Sequence, residues 1–283
     1  MKFAKMQGTG NDYIYVNCFE ETVFDPPAAA KFLSDRHFGV GSDGLVLIEP
    51  SDRADFKMDI YNSDGSRARM CGNAARCVAK YVCDNGLTDK SLISLETPGG
   101  IKYIDIYKEN GKVVSARVNM GAPILKSRDI PALFDSDTVI DLPLKVGEKS
   151  YRVTCLSMGN PHCVVFSNDA DSVNIQKTGP EFENHPAFPD RINTEFVQPF
   201  SGSHIKMRVW ERGAGETLSC GTGACAAAAA CILNGYCKRD TDITVTLRGG
   251  ELSVNWSADG AVYLTGPAAT VFTGEIACCG GAR

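Results

Sequence analysis

Two cysteines stand in matching surroundings. Cys71 opens Cys71-Gly72-Asn73-Ala74-Ala75-Arg76, and Cys220 opens Cys220-Gly221-Thr222-Gly223-Ala224; each lies between a strand-like run and an Ala-rich helical run. They are 220 − 71 = 149 residues apart, and the same offset relates Asn11 to Asn160, Asn62 to Glu211 and Gly44 to Asn193. A repeat that carries its most reactive side chain twice suggests two matching thiols facing each other. The simplest chemistry that needs equivalent acid/base groups on opposite sides of one atom is inversion of a stereocentre. One thiolate would remove an α-proton and the opposite thiol would deliver a proton to the other face, without a cofactor.

The position of each cysteine suits that task. The first amide N–H groups of a helix lack internal partners and carry the positive end of the dipole. A thiol there is expected to shift toward thiolate, below its free value of about 8.5. The same amides can hold a carboxylate, and Gly72 and Gly221 let a ligand approach the backbone closely. Asn62 stands where Glu211 stands in the second copy, and Arg212 follows Glu211. Arginine suits a carboxylate and glutamate an ammonium, so the pocket is expected to take a ligand with a second zwitterionic end.

The elements that must position these groups repeat as well. A helix is expected from about Gly72 to Asp84, stopped by Asn85-Gly86, and its counterpart over Gly221 to Leu233, stopped by Asn234-Gly235. Strands and turns surround both. Pro26-Pro27 starts a shorter helix through about Arg36, and residues 179–191 form a Pro-rich, partly helical segment. A helix apolar around most of its circumference must be surrounded. The expected fold is therefore α/β, with two pseudo-symmetric domains, each a curved mixed or antiparallel sheet wrapped round a central helix, and the site in the cleft between them. The expected domains are residues 1–121 plus 268–283, the last strand returning to cover an edge, and residues 122–267.

Composition bounds the rest. The 283 residues carry a net charge of −5, with 22% charged and 43% hydrophobic residues. This reads as an ordinary globular protein, and the scattered basic residues argue against a nucleic-acid partner. No apolar stretch is long enough to cross a bilayer and no secretory signal is evident, so a cytoplasmic location is expected. The twelve cysteines then read as reduced thiols. Cys77, Cys83, Cys225 and Cys231 have core-like spacing within the helices. Paired CxxC and HExxH spacings are absent, so no metal is expected, nor is there a pyridoxal-type lysine motif or dinucleotide fingerprint.

Taken together, Gly10-Asn11-Asp12, Asn62-Ser63-Asp64-Gly65-Ser66 with Cys71-Gly72-Asn73, Gly159-Asn160-Pro161-His162, Arg191-Ile192-Asn193, Glu211-Arg212-Gly213 and Cys220-Gly221-Thr222-Gly223 resemble the diaminopimelate epimerase family in order and spacing over essentially the whole length. The resemblance implies cofactor-independent epimerisation of LL- to meso-diaminopimelate by Cys71 and Cys220, in cytoplasmic lysine and peptidoglycan biosynthesis, and the enzyme as a homodimer. It implies substrate contacts from Asn11, Asn62, Asn160, Asn193, Glu211 and Arg212 and from the backbone at Gly72, Asn73, Gly221 and Thr222. It also implies that His162 and Glu211 tune the thiols. Two positions depart from the family pattern: Ala75 replaces a frequent Gly, and Gly44 stands where some members carry a substrate-touching Gln. Proline epimerases share the thiol pair but give no reason for Glu211-Arg212 with Asn193. A Cys-nucleophile hydrolase with His162 as base would leave one cysteine idle, and a non-catalytic amino-acid binding module would need neither thiol.

Overall fold

The computed structural model describes residues 1–277; Cys278 and Cys279 lie outside the described residues. The described chain divides into two units, one comprising Met1–Val118 with residues 265–277 and the other Asn119–Leu264.

The first unit opens with the hairpin β1 (Lys2–Gly8) and β2 (Asn11–Asn17), followed by α1 (Pro26–Ser34). Asp25 caps α1 by accepting from the Ala28 amide, and proline occupies its first positions, where a missing N–H costs nothing. Strands β3 (Gly44–Glu49), β4 (Phe56–Asn62) and the short β5 (Arg67–Ala68) lead into α2 (Gly72–Asp84). A meander of β6 (Leu92–Thr97), β7 (Gly100–Glu109) and β8 (Lys112–Gly121) follows. The sheet is mixed: β2–β3 and β4–β6 pair in parallel, while β1–β2, β3–β4, β6–β7 and β7–β8 are antiparallel. Helix α2 packs on β1, β2 and β7 and buries Ala74, Ala75, Cys77, Val78, Ala79 and Val82.

The second unit repeats this plan after a 3₁₀ turn, Ser127–Asp129. Its strands are β9 (Val139–Val146), β10 (Lys149–Ser157) and β11 (Pro161–Phe166), then α3 (Ile175–Glu183), β12 (Asn193–Ser201), β13 (His204–Glu211) and β14 (Gly215–Thr217). Helix α4 (Gly221–Leu233), β15 (Ile243–Leu247), β16 (Gly250–Trp256) and β17 (Val262–Pro267) complete it. The last strand, β18 (Ala269–Glu275), pairs antiparallel with β1 and covers that edge. Parallel pairing recurs at β11–β12 and β13–β15. Helix α4 is wrapped by β10, β11, β12, β13, β15 and β16, and ten of its thirteen residues are buried. Only small side chains fit there, which is why the run from Ala226 to Ala230 is alanine.

The 149-residue offset is also a structural register. In unit one Tyr13 pairs with Gly44 and Gly44 with Asn62. In unit two His162 pairs with Asn193, and Asn193 lies one step beyond the Thr194–Trp210 pair, opposite Glu211. The short strands β5 and β14 were not expected, and two longer elements also differ from the sequence reading. Strand β9 was not expected, because Pro143 interrupts its apolar run. Helix α3 begins at Ile175 rather than near Gly179, because the Asn174 side chain caps it at the Lys177 amide. Among the described residues, no helix is long and apolar enough to cross a membrane.

Gly179 of α3 packs against the Trp210 ring; a Cβ there would lie 2.3 to 2.6 Å from three ring carbons. Gly179→Ala should therefore destabilise the protein by about 1–3 kcal/mol through overpacking, despite alanine's better helix propensity. Thermal denaturation monitored by circular dichroism measures this; an unchanged or raised midpoint would contradict the packing described.

Candidate active site

Both cysteines are N-caps. Cys71 has extended backbone angles, and its Sγ accepts from the Ala74 amide at 3.4 Å; Cys220 does the same with the Gly223 amide at 3.3 Å. In each case the sulfur takes the place usually held by a Ser or Asp oxygen. Gly72 and Gly221, the first helical residues, are buried.

Around Cys71 the first unit brings together Asn11 and Asn73. Asn11 Oδ1 accepts from Cys71 Sγ at 3.4 Å and from Asn73 Nδ2 at 3.5 Å. The amide is held that way round because Asn11 Nδ2 donates to Asp43 Oδ2 at 2.8 Å. Behind it lies a charge network: Lys5 and Arg36 both bind Asp12, at 2.6 and 3.0 Å, and Arg36 also reaches Asp43 at 3.2 Å. Burial raises Asp12, but the hydrogen bonds from Lys5 and Arg36 outweigh it and hold the carboxyl below its ordinary value. Asp43 is pushed up, by burial first and then by the Asp12 charge. Asn62 ends β4, with its side chain donating to Ser66 Oγ at 2.9 Å. Gly44 has no room for a side chain, since a Cβ would lie 2.2 Å from the Tyr61 carbonyl oxygen.

Around Cys220 the second unit gathers acids and an imidazole. Thr222 Oγ1 lies 3.5 Å from Sγ. The Glu211 carboxylate accepts from the Thr217 hydroxyl, and its charge acts on the Cys220 thiol. His162, fully buried, has Nε2 3.0 Å from Asn160 Oδ1 and Nδ1 2.7 Å from Glu195 Oε1. Asn193 is buried too; its Nδ2 donates to the Pro161 carbonyl at 2.8 Å and its Oδ1 accepts from the Arg212 amide at 2.9 Å. It thereby ties the ends of β11 and β13 together. The exposed Arg212 side chain donates to the Asp190 carbonyl at 2.7 Å.

The expectation that the helix start would lower both thiols fails at Cys220. Burial, then the charges of Glu211 and Glu195, push this thiol well above its usual value, although Thr222 and the Gly223 amide pull the other way. Glu211 is itself raised, mainly by burial.

Two ion pairs brace the hairpins that carry Asn62 and Glu211. In unit one Asp59 on β4 receives Arg67 in a bidentate pair at 2.6 and 2.8 Å. In unit two Arg208 on β13 binds Glu216 at 2.9 Å, joined by Arg248 at 3.1 Å. Positions 208 and 216 are the 149-offset counterparts of 59 and 67, so the same brace is built with its charges reversed. Asp43, Thr217 and Glu195 were not among the residues singled out from sequence. The signal that could have found Glu195 is the repeat itself, which places a buried acid opposite Val46 of the first copy. Among the described residues, no group of three or more His, Cys, Asp or Glu side chains is arranged to hold a metal ion.

The two-unit α/β architecture is shared with solved structures of distant sequence. A probable proline racemase from Agrobacterium radiobacter superposes with a TM-score of 0.70 at 15% identity, covering 98% of this chain and 92% of that one. A phenazine biosynthesis protein of the PhzF family from Bacillus anthracis gives 0.71 at 18% identity, covering 98% and 99%. These likenesses define the fold class. Sequence then narrows it: the diaminopimelate epimerase family profile matches residues 3–126 and 154–271. Diaminopimelate epimerases from Acetivibrio thermocellus and Methanococcus maripaludis are 55% and 54% identical over 277 residues, covering 98% of this chain and 98% and 99% of those proteins. The chain belongs to the diaminopimelate epimerase family.

The lowered Asp12 carboxyl gives a pH signature. A depressed folded value stabilises above the unfolded value, about 3.9, and that contribution is lost as pH falls through the folded value. Asp12→Asn should cost about 1–3 kcal/mol at pH 7, because the buried Lys5 keeps the Gly41 carbonyl but loses its carboxylate, and the penalty should shrink below about pH 4. Urea unfolding of both proteins at pH 7 and pH 3.5 measures it; an equal penalty at the two pH values would rule the ion pair out as its source.

Proposed function

We propose that this protein epimerises LL-2,6-diaminopimelate to meso-diaminopimelate without a cofactor, as a cytoplasmic isomerase of lysine and peptidoglycan biosynthesis. The observation that carries the reading is a sulfur N-cap repeated at equivalent positions of two halves, in a chain that shares more than half its residues with diaminopimelate epimerases. A thiolate on one side takes the α-proton and becomes a thiol, leaving a carbanion. The opposite thiol gives its proton to the other face and becomes a thiolate. Protons and charge balance with no outside reagent, and the reverse reaction exchanges the roles of Cys71 and Cys220.

The carbanion is the high-energy species, and preorganised donors in a dry site are what stabilise it. The amides at Gly72-Asn73 and Gly221-Thr222 open helices α2 and α4 and suit the reacting carboxylate. Asn11 and Asn160 each border the polar groups nearest their half's sulfur or histidine. Asn62, Asn193, Glu211 and Arg212 supply the amide, carboxylate and guanidinium groups that a second amino-acid end requires. The place of Asn62, Glu211 and Arg212 at braced hairpin tips supports a fixed binding geometry, and His162 with Glu211 would set the proton affinity of Cys220. The reading requires both sulfurs to reach one α-carbon. A homodimer is part of the same proposal.

Incubation in deuterated water tests it. The wild-type protein should introduce deuterium at the α-carbon of LL-diaminopimelate as the meso isomer forms, and should leave proline unchanged. Cys71→Ala and Cys220→Ala should each lose epimerisation by about 10²–10⁴-fold or more. Full activity in either variant, or a preference for proline, would refute the two-thiol reading or its substrate respectively.

A further inference from the structure

Glu195 is fully buried, and its Oε1 contacts His162 Nδ1 at 2.7 Å while Oε2 has no hydrogen-bond partner. A buried carboxylate with an unsatisfied oxygen is costly to keep, so its presence calls for a reason. Its place supplies one. Glu195 lies beneath the first turn of α4: a Cβ at Gly223 would sit 2.8 Å from Glu195 Oε1 and 3.2 Å from Cys220 Sγ. The same glycine donates its amide to that sulfur.

The repeat isolates what this arrangement adds. Subtracting 149 maps Glu195 onto Val46, Gly223 onto Ala74, His162 onto Tyr13 and Glu211 onto Asn62. At the equivalent positions the first half carries a buried, apolar Val46 and a buried, ordinary Ala74, where the second half has an acid and a glycine. The glycine has no positive φ to explain it; it is the residue that leaves space for the carboxylate. The titratable groups that face Glu195 are His162 on β11, Cys163 beside it, Glu211 on β13 and Cys220 at the start of α4. None of their first-half counterparts is acidic.

We propose that Glu195 is a positioning residue for Cys220: wedged under the third residue of α4 and bonded to His162, its carboxylate makes Cys220 the proton-bearing member of the two thiols. It rests on the two-thiol reading and deepens it. The enzyme at rest then offers a thiol at Cys220 and takes first the isomer whose α-proton faces Cys71. The burial and charge that raise this thiol act in the same direction.

The test is the pH dependence of initial iodoacetamide labelling of the full-length reduced protein, read at the Cys220 and Cys71 peptides by mass mapping. Glu195→Gln keeps the shape and removes the charge. It should move the Cys220 midpoint down by about one pH unit and leave Cys71 where it is, whereas Glu195→Asp should restore most of the wild-type midpoint. A second variant guards against misfolding. Gly223→Ala with Glu195→Val transplants the first half's own pair, should recover the stability lost in Gly223→Ala alone, and should show the same downward shift. An unmoved Cys220 midpoint in either folded variant, or an equal shift at Cys71, overturns the role of Glu195. Labelling needs no turnover, so that failure would leave the two-thiol reading standing, and failure of that reading would show instead as epimerisation by Cys71→Ala.

Discussion

A helix that begins inside a protein must find partners for its first amides, and here the partner is sulfur. Because α2 and α4 are enclosed by their own sheets, their starts have little water to turn to, and Cys71 and Cys220 accept from the third amide of each helix. That contact fixes the rotamer of the sulfur and its distance from the donors that a substrate anion would use. The surrounding strands follow from the same requirement. Only alanine, glycine and cysteine are small enough for α4 to be wrapped by six strands, and this close wrapping brings β11, β12 and β13 to one sulfur.

The two halves solve one backbone problem with different side chains. Around Cys71 the immediate neighbour is a neutral amide, with the carboxylate of Asp43 one step removed and engaged by Arg36. Around Cys220 two carboxylates stand close and an imidazole bridges Asn160 to Glu195. The two sulfurs thus share a backbone setting and differ in the charges around them.

Much of the fold was legible. A constant offset could be read from single residues, and it turned out to be a strand register as well, with Gly44–Asn62 repeated as Asn193–Glu211. The capped ends of α2 and α4 were legible because Cys-Gly at the start and Asn-Gly at the end are local signals. Strand β9 was not, because Pro143 within it reads as a breaker, and the strand is carried by pairing with β10. The start of α3 was missed because Gly179-Pro180 resembles a boundary, whereas the Asn174 cap sets the real one. The direction of the Cys220 shift was not legible either. Helix-dipole reasoning sees only the adjoining turn, while the charges that prevail come from β12 and β13, brought in by tertiary packing.

The reversed braces have a consequence for how a duplicated chain avoids confusing its copies. Two segments that share a backbone plan can trade places during folding, each hairpin arm docking on the wrong twin. Were β5 to dock on β13, Arg67 would meet Arg208; were β14 to dock on β4, Glu216 would meet Asp59. Both mismatches set like charges together beside a core, whereas each correct hairpin joins opposite ones. The inverted polarity thus works as a keying device, letting one architecture be used twice in a single polypeptide without the arms being exchanged.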